Sequence, residues 1–286
     1  MPKEYTLEFQ PAQKRRRDLI TRFFLGFGAI ILLLVIASAF AAQKDGAIDR
    51  IINAYFRPTE PETEAEEGAW NYEGSALFLL CETDAAAQNL RFVFLARVNA
   101  GRRQITIFPL SPQAKAPVGA REITLEQALR EGGVKALQTA AEALTETRID
   151  RYIASDDNGF TKTINTLGSV TVKLDERISY NSPRDFTLTL AEGTQRLQGD
   201  MLLRYFRYLG TLKEDPPMRQ GALLALVLET YLVPKNADSP EKLEQKFSML
   251  VNSIQTDVSV MDLSANRDLL LALLAEPAKI TIEVKE

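Results

Sequence analysis

The chain contains no histidine and one cysteine, Cys81. A Ser-His-Asp triad, an imidazole acid–base catalyst and a His-ligated zinc are therefore excluded. Cys81 follows Leu79-Leu80 and reads as a small core residue rather than a nucleophile. Any chemistry rests on carboxylates, arginines, lysines and hydroxyls. Glu82 and Asp84 follow an apolar run. Acids at the end of a strand serve turns, or become hard oxygen ligands for a Mg²⁺ that also takes phosphate oxygens. Arg91 opens the next apolar run and would neutralise either acid by pairing with it. Arg207 and Arg219 fall in helical stretches, where an arginine is a solvated or paired surface group unless its flanking pattern says otherwise.

The elements that must position these residues are readable. Ala76–Leu80 and Phe92–Ala96 are short continuous apolar runs, the pattern of central strands buried on both faces. A turn at Ala100-Gly101 leads to the alternating run Gln104–Phe108, ending at Pro109, a hairpin partner. Thr124 is placed to cap a short helix through Arg130, Gly132-Gly133 interrupts it, and Val134–Thr145 resumes helical spacing. Strand signals return at Ile149–Ala154 and Val170–Val172, flanking a helix, Gly159–Gly168, that closes on glycine. Leu197–Tyr208 and Met218–Leu232 read as helices separated by Pro216-Pro217. Pro240–Ile254 and Asp262–Leu274 read as two more, and Ile280–Val284 as a final strand. The interspersed order predicts an α/β fold, a three-layer domain with a mixed central sheet and helices on both faces.

Of the 286 residues, 45% are hydrophobic and 25% charged, which fits a globular chain rather than a disordered or fibrous one. A net charge of −4 argues against nucleic acid as a partner. From Phe23 to Ala42 the sequence carries no charge, and a helix of that length spans about 30 Å, enough to cross a bilayer. Lys14, Arg15, Arg16, Arg17 and Arg22 precede it. The positive-inside rule puts residues 1–22 in the cytoplasm, the span at 23–42 in the membrane as a single-pass anchor, and the rest outside the cell membrane. A cleaved signal peptide is the competing reading, through Ala39-Phe40-Ala41. Residues 43–72 form a stalk or linker. Within it, the stretch 57–68 holds five glutamates and two prolines and almost nothing apolar. The extracytoplasmic domain is then 73–286.

One segment carries a family pattern. Gly193-Thr194-Gln195-Arg196-Leu197-Gln198-Gly199-Asp200-Met201-Leu202-Leu203-Arg204-Tyr205-Phe206-Arg207 resembles the Gly-x-x-x-Leu-x-Gly-x-x-x-Leu-x-Tyr-x-Arg signature of the LytR-CpsA-Psr family. Arg219-Gln220 stands where that family places an Arg-Gln pair. Ile149-Asp150-Arg151-Tyr152, Asn158-Gly159-Phe160 and Leu167-Gly168-Ser169-Val170-Thr171-Val172 resemble further landmarks in the same order, and Thr256-Asp257-Val258-Ser259 resembles the terminal element.

The resemblance implies a cell-envelope protein of the kind that transfers a glycopolymer from a polyprenyl pyrophosphate carrier to the cell wall, with peptidoglycan or another wall glycopolymer as acceptor. It implies Arg207, Arg219 and Gln220 as pyrophosphate-binding residues; Arg91, a cation where the family has a metal carboxylate, is a further pyrophosphate-binding candidate, and Glu82, or Asp84 by a one-residue slip, would be the ligands of Mg²⁺ if the protein is an active phosphotransferase. Departures accompany it. The second arginine expected after Arg207 is Leu209. The family's Pro-Arg-Asp turn is Pro109-Leu110-Ser111, its Arg-x-Asp is Asn89-Leu90-Arg91, its Gly-x-Asp is Cys81-Glu82-Thr83, and its Lys-Ile-Asn is at best Arg121-Glu122-Ile123. Losing a transition-state arginine costs of order 10²-fold in rate. These departures lean toward a pseudoenzyme, and the alternative function is a non-catalytic, membrane-anchored scaffold or regulator that binds carrier lipid or a partner transferase.

Overall fold

The computed structural model describes residues 73–182, 185–232 and 240–286. The expected membrane span at 23–42 and the stalk lie outside these residues. Among the described residues, no helix is long and apolar enough to cross a membrane.

Six strands make the central sheet: β1 (Ser75–Thr83), β2 (Leu90–Asn99), β3 (Gln104–Leu110), β6 (Arg151–Asp156), β11 (Gln255–Thr256) and β12 (Thr281–Val284), in the spatial order β11-β6-β1-β2-β3-β12. The meander β1-β2-β3 is antiparallel, whereas β6 joins β1 and β12 joins β3 in parallel, so the sheet is mixed as its sequence pattern suggests. The two apolar runs are indeed buried on both faces. Ala76, Phe78 and Leu80 enter one core, and Leu77, Leu79 and Cys81 the other.

The second of these cores is closed by helix α1 (Leu125–Thr145) and the hairpin β4 (Lys115–Val118)–β5 (Arg121–Thr124). Thr124 caps α1, its hydroxyl accepting from the Gln127 backbone N–H. The helix breaks at Gly132 and Gly133 as the glycine pair predicts, with Gly133 at φ 68°, a conformation that side chains resist. The opposite core is covered by α2 (Asp157–Leu167), α3 (Gly199–Leu209), α4 (Pro216–Tyr231), α5 (Pro240–Val251) and α6 (Val260–Ala275). Three layers result.

Pro216 and Pro217 prove to be the first residues of α4 rather than a spacer, since a proline in the first helical turn forfeits no helical hydrogen bond. Three two-stranded sheets escape the sequence reading, which has only the strand at Val170–Val172. Besides β4–β5, one pairs β7 (Val170–Leu174) with β10 (Gly193–Leu197), and another pairs β8 (Ile178–Asn181) with β9 (Thr187–Leu190). Gly199, the second glycine of the family-like segment, opens α3 where it meets α2. A Cβ there would lie 2.8 Å from the Thr161 carbonyl oxygen and 2.6 Å from Asn165 Oδ1, so only glycine permits the approach.

Candidate functional site

The parallel strands β1 and β6 end together, and helix α2 begins at the end of β6. Glu82 continues the face of β1 that carries Phe78 and Leu80, so the pleat aims its carboxyl into the helix-covered layer. It is fully buried, and both carboxyl oxygens lack a hydrogen-bond partner. Asp157, the first residue of α2, also has a buried unpartnered oxygen, Oδ1. Burial, and next the Asp157 carboxyl beside it, push the Glu82 pKa up to about 10, although Arg91 and Arg207 pull it down. Glu82 is consequently protonated at neutral pH in the ligand-free protein.

Arg91 reaches this face through a β-bulge. Glu82 stands opposite Phe92 but Thr83 stands opposite Leu90, which leaves Arg91 as the extra residue. Simple alternation would send Arg91 to the α1 face. The bulge lets Leu90 take that place and re-aims the arginine. Its Nη1 lies 3.4 Å from Asp185 Oδ1. Arg207, from the last turn of α3, donates from Nη2 to the same Asp185 oxygen, sets Nη1 3.7 Å from Asp157 Oδ2, and rests its guanidinium 4.9 Å from the centre of the Phe186 ring. Two arginines and three acids, Glu82, Asp157 and Asp185, thus meet at one end of the sheet.

An apolar cavity of ≈ 80 Å³ is lined by Cys81, Phe92 and Phe206, the sequence neighbours of Glu82, Arg91 and Arg207, and by none of the charged residues themselves. Phe92, Phe160 and Phe206 form its wall, with ring centres 4.9 to 6.0 Å apart, and Leu224, Val227 and Leu228 of α4 face them. Each of the two arginines is adjacent in sequence to a phenylalanine of this wall. Phe206 is a fully buried core residue that also lines the cavity. Thr163 adds a buried hydroxyl that finds no partner.

The other candidate residues are placed elsewhere. Asp84 staples the β1–β2 turn, accepting from the Gln88 and Asn89 backbone N–H groups and from the Asn89 amide. Arg219 is half-exposed, bonds the Glu214 carbonyl and carboxylate, and lines a different groove with Tyr205 and Tyr208. Gln220 is buried and donates to the Phe206 carbonyl at the end of α3, an oxygen that also accepts from the Gly210 backbone N–H. Asp157 and Asp185 are absent from the sequence reading. Asp157 had a signal, an acid at the carboxyl end of a central strand opening a helix. Asp185 had none, since it arrives on the β8–β9 hairpin from 94 residues beyond Arg91. Cys81 is buried with its pKa pushed up to about 12 by burial and then by Glu82, which suppresses the thiolate a nucleophile needs.

The oxygen set suits a hard cation in part. Glu82 and Asp157 supply buried carboxyl oxygens without partners, but among the described residues no group of three or more His, Cys, Asp or Glu side chains gathers to hold a metal. A Mg²⁺ here would need phosphate oxygens to complete its shell.

Among known structures, the fold is similar to that of a protein from Eubacterium siraeum bearing a transcription-regulator label, at TM-score 0.63 and 14% identity over 80% of this chain and 89% of that one. B. subtilis TagV is similar at TM-score 0.59 and 14% identity, over 76% and 86% of the two chains. TagT bound to LI-WTA is similar at TM-score 0.54 and 18% identity, over 77% and 81%. No curated protein matches the chain by sequence. The model of the LytR_cpsA_psr family matches residues 117–282, more than half of the chain, from within β4 to within β12, so the chain belongs to the LytR-CpsA-Psr family.

Proposed function

We propose that this protein binds a polyprenyl phosphate or pyrophosphate carrying a cell-wall glycopolymer, on the extracytoplasmic side of the membrane. The observation that carries the reading is a phenylalanine-walled cavity whose lining residues Cys81, Phe92 and Phe206 are the sequence neighbours of Glu82, Arg91 and Arg207 in the charged cluster with Asp157. A lipid phosphate has the same two-part character, an apolar tail and a compact anion. Family membership and the fold shared with TagT, which is bound to LI-WTA, support it.

Arg207 and Arg91 are the headgroup donors. Both are held by Asp185 without ligand, and an arriving phosphate exchanges that carboxylate for oxygens with more charge. Burial strengthens the new pairs. Glu82 and Asp157 are the residues that would hold Mg²⁺ against the phosphates. When bound, the ion neutralises charge that develops as a phosphoanhydride or phosphoester linkage breaks. The Glu82 proton must leave before that carboxylate can serve a cation.

A binding role without transfer is favoured by one feature. The end of β3, where the family carries arginine and aspartate, presents Leu110, whose side chain packs into the α1-side core. No cation is delivered to the cluster from that strand.

The test is mass spectrometry of organic-extractable lipid from the full-length protein and from Arg207→Ala and Arg219→Ala variants, followed by a turnover assay with Mg²⁺. Co-purified polyprenyl phosphate should fall at least about tenfold in Arg207→Ala, the loss of one or two charge-assisted hydrogen bonds. It should change little in Arg219→Ala. Equal lipid in wild type and Arg207→Ala would refute the site. Mg²⁺-dependent release of lipid phosphate would establish transfer over binding alone.

A further inference from the structure

At the opposite end of β1 from Glu82 lies a groove of ≈ 440 Å³. The seven residues from Ser75 to Glu82 separate the two sites by about 23 Å at strand rise. Arg97, Arg102, Arg148 and Lys285 line the groove, all four exposed, in a chain whose net charge is −4. Arg97, Arg102 and Arg148 have no ion pair among the described residues, whereas Lys285 Nζ lies 2.8 Å from Glu283 Oε2 in an exposed pair that a docking carboxylate would have to share. Arg97 is fixed by its guanidinium resting 5.6 Å from the centre of the Phe108 ring. The one acid in the lining, Asp150, is committed to the Leu77 backbone N–H. Ser75 lines the same groove, so the chain enters the domain at its rim.

Immediately upstream is the most acidic stretch of the sequence, with Glu60, Glu62, Glu64, Glu66 and Glu67 inside 57–68. Gly68 stands seven residues before Ser75, a reach of at most about 25 Å. A segment tethered this closely meets the groove at millimolar effective concentration. We propose that the acidic segment 57–68 docks on the Arg97–Arg102–Arg148–Lys285 groove of its own chain. Each exposed pair contributes little alone, but several charges on one short tether act together. The consequence concerns the other end of the sheet. Five linked carboxylates are competitors for Arg91 and Arg207, and a second cationic groove at the chain's point of entry keeps them away from that cluster. This inference does not depend on what the cluster binds.

A water-soluble carbodiimide, which joins a carboxylate to a touching amine with loss of water, tests it on full-length protein in detergent. The expected product is an amide between one of the five glutamates and Lys285. Its yield should drop at least about fivefold at 0.5 M salt, where the Debye length shrinks to roughly 4 Å. The same drop is expected in Arg97→Gln/Arg102→Gln/Arg148→Gln, a surface variant whose folding is checked by circular dichroism. Replacing the five glutamates by glutamine, which leaves the domain untouched, should abolish the product. Equal linkage to the exposed Lys115 and Lys213, or a yield insensitive to the three arginines, would overturn the proposal. So would products joining two isotopically distinct copies, or loss of the product when phosphatidylglycerol but not a neutral lipid is added to the detergent micelles, which would give the groove to another chain or to lipid headgroups.

Discussion

The two faces of strand β1 begin from one uninterrupted apolar run and end differently. Toward α1, Leu77, Leu79 and Cys81 meet Leu137, Ala140 and Ala141, all buried, and the small helix residues bring the backbone close to the sheet. Toward α2–α4, Phe78 and Leu80 lead to Glu82 and to a cavity that neighbouring side chains do not fill. Adjacent residues carry the contrast. Cys81 and Glu82 are both buried and both have raised pKa values, yet Cys81 sits in a packed layer, whereas Glu82 faces an acid, two arginines and no hydrogen-bond partner. Burial alone therefore does not mark a site. A buried polar group whose surroundings leave it unsatisfied does.

The packed face should be the one that tolerates truncation least. Leu137, fully buried on α1, should cost about 3 kcal/mol when replaced by alanine, because the close neighbours cannot collapse into the space. Leu224, half-buried and already bordering a cavity, should cost about 1 kcal/mol as alanine, since fewer contacts are lost. Urea denaturation of both variants measures the difference. Equal losses would mean that the cavity face is as tightly packed as the other, and the contrast would fail.

Much of the packed face is legible in the sequence, and less of the open one. The runs that carry Leu79 and Leu95, the cap at Thr124 and the break at Gly132-Gly133 are local signals, and each predicts what forms. The family-like segment runs into α3 and puts Arg207 in its last turn, because the pattern and the helix share one stretch of chain. The rest of the site is assembled over long separations. Arg91 depends on a bulge that exists only once β1 and β2 pair, and Asp185 on a hairpin whose short strands bury few side chains. Arg219 and Gln220 match the family pattern in sequence, but in the folded chain one lines a groove apart from the cluster and the other closes a helix end. Spacing along the chain does not show which side of a helix a residue will take against a partner still unknown.

The open face should also respond to pH where the packed one does not. Glu82 titrates near 4.5 when unperturbed and near 10 in the folded protein. Below 4.5 both states hold the proton. Between the two values the folded state keeps a proton that the unfolded state has lost, so stability falls as pH rises through this window, by up to about 1.4 kcal/mol per pH unit. Glu82→Gln mimics the protonated acid, and its stability should match wild type near pH 4 and exceed it increasingly toward pH 9. Melting temperatures of the two proteins across that range supply the test, and parallel curves would mean that Glu82 titrates alike in the folded and unfolded chains. Millimolar Mg²⁺ should narrow the gap at high pH by binding the ionised carboxyl with Asp157, as a ligand of the folded state alone.

The smallest effect concerns Thr163, which lines the cavity with a hydroxyl that is buried and unpaired. Valine has nearly the same shape and no polar atom, so Thr163→Val removes an unmet hydrogen-bonding demand without opening space. On the ligand-free protein it should stabilise by about 1 kcal/mol, the reverse of the usual sign for a core substitution. Its effect on co-purified lipid separates two origins of the hydroxyl. Unchanged lipid would make Thr163 a tolerated imperfection of a cavity kept open for an apolar chain. A drop in lipid alongside the gain in stability would mean that the hydroxyl contacts the ligand, and that the open face gives up packing energy at Thr163, as it does at Glu82, to keep a polar group available.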